Sequence, residues 1–393
     1  MNSAPEAVTQ TTNLFAPAIA VLPFDNMSAD PDQEYFSDGI TEDIITDLSV
    51  LPDLAVIARN STFVYKNRPT SIRVIADDLG VSHVLEGSVR RDGDMVRITA
   101  QLIDVETEAH IWAGRYDRAI DDVFEIQEAV SREIVAALEL ALPVKDSAIV
   151  TGAHRPNLLA HDAFLRGKEQ FYRYDEEGVL GAIDLFAAAI DQDADFAEAY
   201  AWKSRALIFA FISGFNSSKD ETVGQALLFA ERAIELDRLL PSANANLAWA
   251  KRWNQEFAHA EALINRAIDL DPNSADAYLW KSLILSTVGK GDEALDAIER
   301  SNRLNPNYGA TSIFALGRAQ LQRGAVDEAI AIFDRGINRN PNFLPNHMFK
   351  LLALEKTGAL DRAIAAKAMM AQINPNFEQS AAYQNYLAER QKP

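Results

Sequence analysis

The chain of 393 residues contains no cysteine, and this absence removes several kinds of chemistry at once. Without a thiol there is no disulfide, no thiolate metal ligand and no cysteine nucleophile. No apolar run approaches the ~18 residues that a membrane-spanning helix needs. The composition, 48% hydrophobic and 24% charged, is that of a globular chain long enough for two or more domains.

Basic residues are scarce, above all in the first half of the chain. The net charge is −20, and residues 1–150 carry 26 acidic against 11 basic side chains. Arg59 is the first basic residue, so the amino terminus lacks the positive charge that begins a secretory signal, and we expect a cytoplasmic protein. A surface this acidic repels phosphate backbones and anionic lipid, so we expect neither nucleic acid nor a membrane as partner.

Short motifs of nucleotide, metal and nucleophile chemistry are missing as well. GxGxxG, GxxxxGK[ST], GxSxG and HExxH do not occur in the sequence. The histidines are dispersed, and the nearest pair, His154 and His161, is interrupted by a proline. We therefore predict no catalytic residue, no metal site and no cofactor.

The stretch "VLPFDNMSADPDQEYFSDGITEDI", residues 21–44, is crowded with acidic residues and could hold a metal or a catalytic carboxylate pair. As a calcium loop beginning at Asp30, it has Tyr35 where a glycine is required and Thr41 where a bidentate glutamate is required. No apolar pocket is indicated that would raise the pKa of one carboxylate of a pair. We interpret the stretch as a solvated connection whose acids favour the start of the following helix.

The second half of the chain is an internal repeat. Asp/Asn-Pro-Asn turns place prolines at 272, 306, 341 and 375, and an alanine stands twelve residues before each of them. Two degenerate copies precede these four. A small residue lets two antiparallel helices approach closely, and the turn ends one helix and begins the next, so we predict stacked helix pairs.

These spacings resemble the tetratricopeptide repeat, in six copies over residues 158–376, followed by a capping helix and tail over 377–393. The resemblance implies an all-α superhelix whose first helices line a groove for a protein or peptide partner. The same side chains could instead simply pack between repeats. The predicted protein-binding groove residues are Arg205, Phe209, Trp249, Arg252, Trp253, Phe314, Arg318 and Met348.

The first half of the chain predicts an α/β domain over residues 18–142, after a disordered arm at 1–17 and before a linker at 143–157. "AIAVLPF" and "LAVIARN" are typical of buried strands, and Asp92-Gly93 predicts a tight hairpin turn. Helical spacing recurs after Tyr35 and from Val123 to Leu138. The predicted order of elements is β-α-β-α-β-β-β-α.

Four stretches of this half, in order, resemble the TolB-like region that accompanies tetratricopeptide repeats in bacterial class III adenylate cyclases and some winged-helix regulators. They are "AVLPFDNMSADPDQEYFSDGITEDI", "HVLEGSVRRDGDMVRITAQLID", "IWAGRYDR" and "VFEIQEAVSREIVAAL". The resemblance implies the non-catalytic part of such a protein. The cyclase domain and the winged helix have no counterpart in the sequence, so we expect the chain not to be an enzyme.

The sequence thus favours a non-catalytic protein-interaction module, regulatory in bacterial signalling. Two alternatives stay open: a regulatory portion of an adenylate cyclase system, acting in trans or as a fragment of one, and an accessory domain of a transcriptional regulator without its DNA-binding part. The oligomeric state is not indicated. The polar linker predicts halves that fold separately. Arg205, Arg252 and Arg318 suggest that the repeat groove attracts the acidic domain.

Overall fold

The computed structural model describes residues 17–141, 154–215 and 219–391. Within these ranges a six-stranded sheet with its helices is followed by a long array of helices. No helix among the described residues is long and apolar enough to cross a membrane. All but the last residue of the predicted arm at 1–17, and most of the predicted linker at 143–157, lie outside the described residues.

The amino-terminal region contains six strands and four α-helices. The strands are β1 (Ala18–Val21), β2 (Asp25–Asn26), β3 (Ala55–Val56), β4 (His83–Asp92), β5 (Met95–Asp104) and β6 (Ala109–Ala119). The helices are α1 (Glu34–Ser49), α2 (Arg59–Thr62), α3 (Ile72–Leu79) and α4 (Val123–Ala141). The predicted order of elements omits β2 and α2, because segments of two and four residues carry no measurable hydrophobic period.

The sheet is mixed, with the strand order β3-β1-β4-β5-β6 and β2 added beside β4. β1 is parallel to both β3 and β4, whereas β4, β5 and β6 form antiparallel hairpins. The register pairs Leu85 with Leu102 and Val89 with Ile98, so these four side chains share one face. That face is buried under α1 and α4, while α3 covers the other face near β1.

The rest of the described chain consists of helices, of which the first twelve form six antiparallel pairs. They are α5 (Leu158–Phe171), α6 (Glu176–Gln192), α7 (Ala197–Ser213), α8 (Lys219–Leu236), α9 (Pro241–Trp253), α10 (Phe257–Leu270), α11 (Ala275–Thr287), α12 (Gly291–Leu304), α13 (Ala310–Gln322), α14 (Val326–Arg339), α15 (Leu344–Lys356) and α16 (Leu360–Ile373). A last helix, α17 (Ala381–Arg390), follows them. The prediction of stacked helix pairs is confirmed.

Small residues bring the two helices of a pair together. A Cβ atom at Gly167 of α5 would lie 2.6 Å from the ring of Phe186 on α6, so the ring occupies the space that a side chain would need. Gly317 of α13 and Phe333 of α14 repeat the arrangement in the fifth pair. The alanines found twelve residues before each turn proline are buried in the same contacts, as their spacing predicts.

The two halves are packed on one another through α1 and α5. Gly39 of α1 faces Leu165 of α5 so closely that an added Cβ would lie 2.6 Å from the leucine side chain. One apolar cluster runs from β1 through α1 to α5, α6 and α7 without interruption. α1 and α5 thus present complementary apolar faces that bury each other, while separate folding of the two halves stays a prediction.

Asn273, in the turn before α11, ties the repeat array to the α/β domain. Its side-chain amide donates to the carbonyl oxygens of Ser49, Leu51 and Leu54 at 2.8–3.0 Å. Its Oδ1 accepts from the backbone N–H of Val56 at 3.4 Å. The residue is 4% exposed, so these carbonyl groups obtain their hydrogen bonds from the asparagine and not from water.

The next turn of the array makes a second polar contact with the α/β domain. Ser61 of α2 donates to Oδ1 of Asn305 at 2.6 Å and accepts from the backbone N–H of Asn307 at 2.9 Å. The backbone N–H of Ala58 donates to the carbonyl of Leu304 at 2.8 Å. The α/β domain therefore spans the array from its first pair to the turn that precedes its fifth.

Replacing Asn273 with alanine should destabilise the whole chain and not a single repeat. The substitution leaves buried carbonyl groups without donors, and we expect it to lower the free energy of unfolding by about 1–3 kcal/mol. Asn342 lies two repeats later, at the position equivalent to Asn273 in an exposed inter-repeat turn. It provides the matched control. Chemical denaturation of the two alanine variants makes the comparison, and equal losses would contradict the assigned role of Asn273.

Candidate functional site on the first-helix face

The predicted groove residues lie on the first helices of their pairs: Arg205 and Phe209 on α7, Trp249, Arg252 and Trp253 on α9, Phe314 and Arg318 on α13, and Met348 on α15. We call the surface formed by α5, α7, α9, α11, α13 and α15 the first-helix face. Arg205 and Phe209 are half-buried, and the other predicted residues are buried. The burial of those six fits the alternative that they pack between repeats, and their role in binding a partner stays a prediction.

Aromatic rings account for much of this burial. Trp249 of α9 stacks on Trp280 of α11 with ring centroids 5.7 Å apart and an interplanar angle of 12°. Trp253 meets the edge of Phe211 of α7 at 5.3 Å. Edge-to-face and offset contacts of this kind stabilise aromatic pairs beyond the area that they bury. The aromatic residues of α7, α9 and α11 therefore join successive pairs to one another.

The three predicted arginines are held inside the array and do not project into an open channel. Arg205 forms an ion pair of 2.6 Å with Asp276 of α11, and its guanidinium carbon lies 5.2 Å from the Trp280 ring centre. The guanidinium of Arg252 lies 4.7–4.8 Å from the rings of Trp249 and Trp253.

Arg318 repeats this arrangement in the fifth pair. Its guanidinium lies 4.9 Å from the Phe349 ring, and it donates to Oγ1 of Thr287 at 3.4 Å. All three arginines contact groups of the array itself, and the expectation that the acidic domain is attracted to them stays a prediction.

An aromatic patch remains open at the beginning of the first-helix face. Tyr174, in the turn after α5, is 42% exposed and lies 5.5 Å from the ring of Phe209. Phe215, just after α7, is half-buried and lies 6.5 Å from the same ring. Sequence reasoning missed Tyr174 and Phe215 because turn residues fall outside the helical period. The patch of Tyr174, Phe209 and Phe215 is the accessible part of the predicted surface.

A buried ionic cluster lies between α1 and α5. Oε1 of Glu42 accepts a hydrogen bond from the Tyr172 hydroxyl at 2.9 Å and lies 3.1 Å from Nζ of Lys168, while Arg59 reaches Oε2 at 3.2 Å. Burial opposes the charge on Lys168, but the carboxylates of Glu42 and Asp43 raise its pKa. The positive charges of Lys168 and Arg59 thus compensate the carboxylate of Glu42 at the boundary between the halves, and the side chains of the cluster contact one another.

Two carboxyl groups beside this cluster have strongly perturbed titrations. Burial raises the pKa of Asp47 to about 7, and the neighbouring charges of Asp43 and Glu128 act in the same direction. Burial also raises the pKa of Glu198 to about 7. The Ser131 hydroxyl donates to Asp47 at 2.7 Å. Both carboxyl groups are therefore placed where the charged form is disfavoured, which is a cost to folding at neutral pH.

The acidic stretch after β1 is for the most part the solvated connection that we predicted. Asp25, Asp30 and Asp32 are exposed, and Asp30 caps a short 3₁₀ turn through the N–H of Asp32. Asp38 departs from this description. It lies on α1, within 2.6 Å of Nζ of Lys66, and burial raises its pKa despite that partner.

A cleft of ≈950 Å³ opens beside this connection in the α/β domain. It lies at the carboxyl end of β1, between the loop of residues 65–70 and the polar face of β4 and β5, where open α/β sheets commonly bind ligands. Lys66, Glu86, Ser88 and Gln101 are among the residues that line it. Among the described residues no three His, Cys, Asp or Glu side chains are grouped so as to hold a metal ion.

Comparison with known proteins gives partial matches. No family model matches the chain. It is 41% identical over 245 residues to "Putative adenylate cyclase 3" of Rhizobium meliloti, a match that covers 62% of this chain and 42% of that protein. It is 30% identical over 162 residues to rat "Mitochondrial import receptor subunit TOM70", covering 40% of this chain and 25% of the relative. The chain thus spans less than half the length of these relatives.

Among solved structures, PilF of Pseudomonas aeruginosa is similar over 59% of this chain and 97% of its own, with 16% identity and a TM-score of 0.40. The TPR protein TTC0263 of Thermus thermophilus is similar over 50% of this chain and 98% of its own, with 20% identity and a TM-score of 0.38. At these scores the overlap is too loose to carry an argument about function.

Replacing Asp47 with asparagine should stabilise the chain more at pH 8 than at pH 4.5. Between about pH 4 and pH 7 the unfolded chain loses the proton of Asp47 while the folded chain keeps it, so this group destabilises the fold increasingly as pH rises. Asparagine removes that cost and can still accept from Ser131. We expect a gain on the order of 2 kcal/mol at pH 8 and little at pH 4.5.

The control for this prediction is Asp53→Asn, since Asp53 is exposed. Its free energy of unfolding should change by less than about 0.5 kcal/mol at both pH values. A gain for Asp47→Asn that is the same at pH 4.5 and pH 8 would contradict the assigned titration.

Proposed function

We propose that the chain is a non-catalytic protein-interaction module that acts in bacterial signalling and binds a protein or peptide partner on its first-helix face. The observation that carries the proposal is the array of six helix pairs with an aromatic first-helix face. Stacked helix pairs of this kind form extended surfaces that suit protein ligands. The accessible patch of Tyr174, Phe209 and Phe215 has the aromatic character that anchors protein interfaces.

The signalling part of the proposal is supported by the relative from Rhizobium meliloti, whose name describes a putative adenylate cyclase. Together with the TolB-like resemblance of residues 18–142, it favours a regulatory role beside a cyclase, in trans or as a portion of a longer protein. The division into domains at 18–142 and 158–376 is part of the same proposal. The net charge of −20 favours a cytoplasmic protein partner over nucleic acid or anionic lipid.

Removal of the open aromatic patch should abolish partner binding. The tagged chain of 393 residues is used as bait under native conditions, and a partner retained at constant stoichiometry is expected to be lost with Tyr174→Ala/Phe209→Ala. Leu228 and Leu239 are 68% and 52% exposed, and their double alanine variant removes comparable apolar surface elsewhere. Retention by all three chains alike, or absence of any stoichiometric partner, would contradict the proposal.

A catalytic reading is tested directly by turnover. The purified chain incubated with ATP and Mg²⁺ or Mn²⁺ should form no cyclic AMP above a blank without protein, because no nucleotide or metal motif accompanies the repeats. A class III cyclase domain assayed in parallel is the positive control. Cyclic AMP formed in proportion to the amount of chain would overturn the non-catalytic assignment.

A further inference from the structure

The carboxy-terminal helix α17 lies on the first-helix face. It packs on α15 and also on α7, which belongs to the second pair of the array. Tyr386 is 2% exposed and belongs to the apolar cluster that contains Trp249, Trp253 and Met348. Tyr383 and Leu387 pack against the same cluster. Spacings of three and four residues place these three side chains on one stripe of α17.

Polar contacts fix the orientation of α17 on this face. The hydroxyl of Tyr386 donates to the carboxylate of Glu355 on α15, with distances of 3.0 and 3.2 Å to its two oxygens. Nε of Arg390 lies 3.2 Å from the same carboxylate. Burial raises the pKa of Tyr386 to about 12, and Glu355 acts in the same direction. One acid of the array is thus shared by two residues one turn apart on α17.

The position of α17 differs from that of a helix that merely closes the end of the array. Ile330 of α14 is 7% exposed because the next pair covers it. Ile364, 34 residues further on in α16, is 70% exposed, and Leu360 beside it is 66% exposed. A terminal cap would bury these residues, as repeat arrays require of their last helix. Instead, α17 leaves them open and lies against the first-helix face.

We infer that the first-helix face is a helix-binding groove that α17 now occupies, and that its partner is an amphipathic helix carrying two aromatic or aliphatic anchors and a basic residue one turn beyond them. This inference rests on the proposed function and specifies the class of partner. Helix-in-groove recognition uses anchors at these spacings. Trp249, Trp253 and Met348 are buried in the same apolar cluster as Tyr386 of α17. A partner helix must compete with α17 for the contact with Glu355.

The test uses a fluorescent peptide of residues 377–391 as the probe and the whole 393-residue chain as the receptor. A tethered helix competes at an effective concentration of the order of millimolar, so the unchanged chain should bind the peptide weakly. The variant Tyr386→Ala weakens the tethered helix and should bind the peptide at least about tenfold more tightly. A peptide carrying the same Tyr386→Ala change should lose this binding.

Two further variants keep the test decisive. Arg390 is largely exposed, so Arg390→Ala should fold normally and still bind the peptide more tightly than the unchanged chain does. Glu355→Gln added to Tyr386→Ala should weaken peptide binding again, because it removes the shared acid. Leu360→Ala, outside the groove, is the control and should behave as the unchanged chain.

The inference is overturned if the folded Tyr386→Ala and Arg390→Ala chains bind the peptide no better than the unchanged chain. It is also overturned if the altered peptide binds as well as the original. These outcomes concern the chain and its own helix, so they are distinguishable from a failure to retain a partner with the Tyr174 and Phe209 variants.

Discussion

A helix pair cannot bury both of its apolar faces by itself, and this constraint governs how the whole chain is arranged. Each pair covers the next one, so only the outer apolar faces at the two ends of the array lack a neighbouring pair. At the beginning α1 covers α5, and the core of the α/β domain continues into the repeats. At the far end Leu360 and Ile364 of α16 are exposed to solvent. The array is thus closed at one end by a folded domain and left open at the other.

The contact between α1 and α5 combines apolar packing with a buried cluster of charges, and the two parts have different consequences. Packing of Gly39 against Leu165 brings the helices close. The ion pair between Glu42 and Lys168 then compensates charges that this approach removes from water. The charges of Asp47 and Glu198 are less fully compensated, and their raised pKa values reflect the free energy needed to bury a charged carboxylate. The boundary is therefore specific, because a misplaced helix would leave these charges buried and unpaired.

The first-helix face illustrates how a repeat array can be both structural and functional. Its tryptophans join successive pairs, and its arginines are held by rings and carboxylates of the same array. The patch around Phe209 remains accessible, whereas α17 covers the surface that it contacts on α15 and α7. Tyr386 and Arg390 of α17 both contact Glu355 of α15, so the occupied surface has a polar anchor as well as an apolar one. Such a combination favours one orientation of a bound helix.

Local patterns predicted much of this architecture. The proline spacing of 34 and 35 residues predicted the helix pairs, because it reflects contacts between neighbours in sequence. The Asp92-Gly93 turn likewise predicted the β4–β5 hairpin. The elements β2 and α2 escaped prediction because they depend on pairing partners and carry no period of their own. The sequence left two roles open for the predicted groove residues, because apolar and cationic side chains look alike in sequence whether they bind a partner or a neighbouring helix.

The sequence by itself determined the helix pairs, the β4–β5 hairpin and the acidic surface, since these follow from residues close together in the chain. Tertiary structure alone decided that Asn273 holds the carbonyls of Ser49 and Leu54, that Glu42 meets Lys168, and that Tyr386 reaches Glu355. Each of these contacts joins residues far apart in sequence. Sequence periodicity does not predict such long-range contacts, because they depend on how the helices and strands pack together and not on the local preference of any one element.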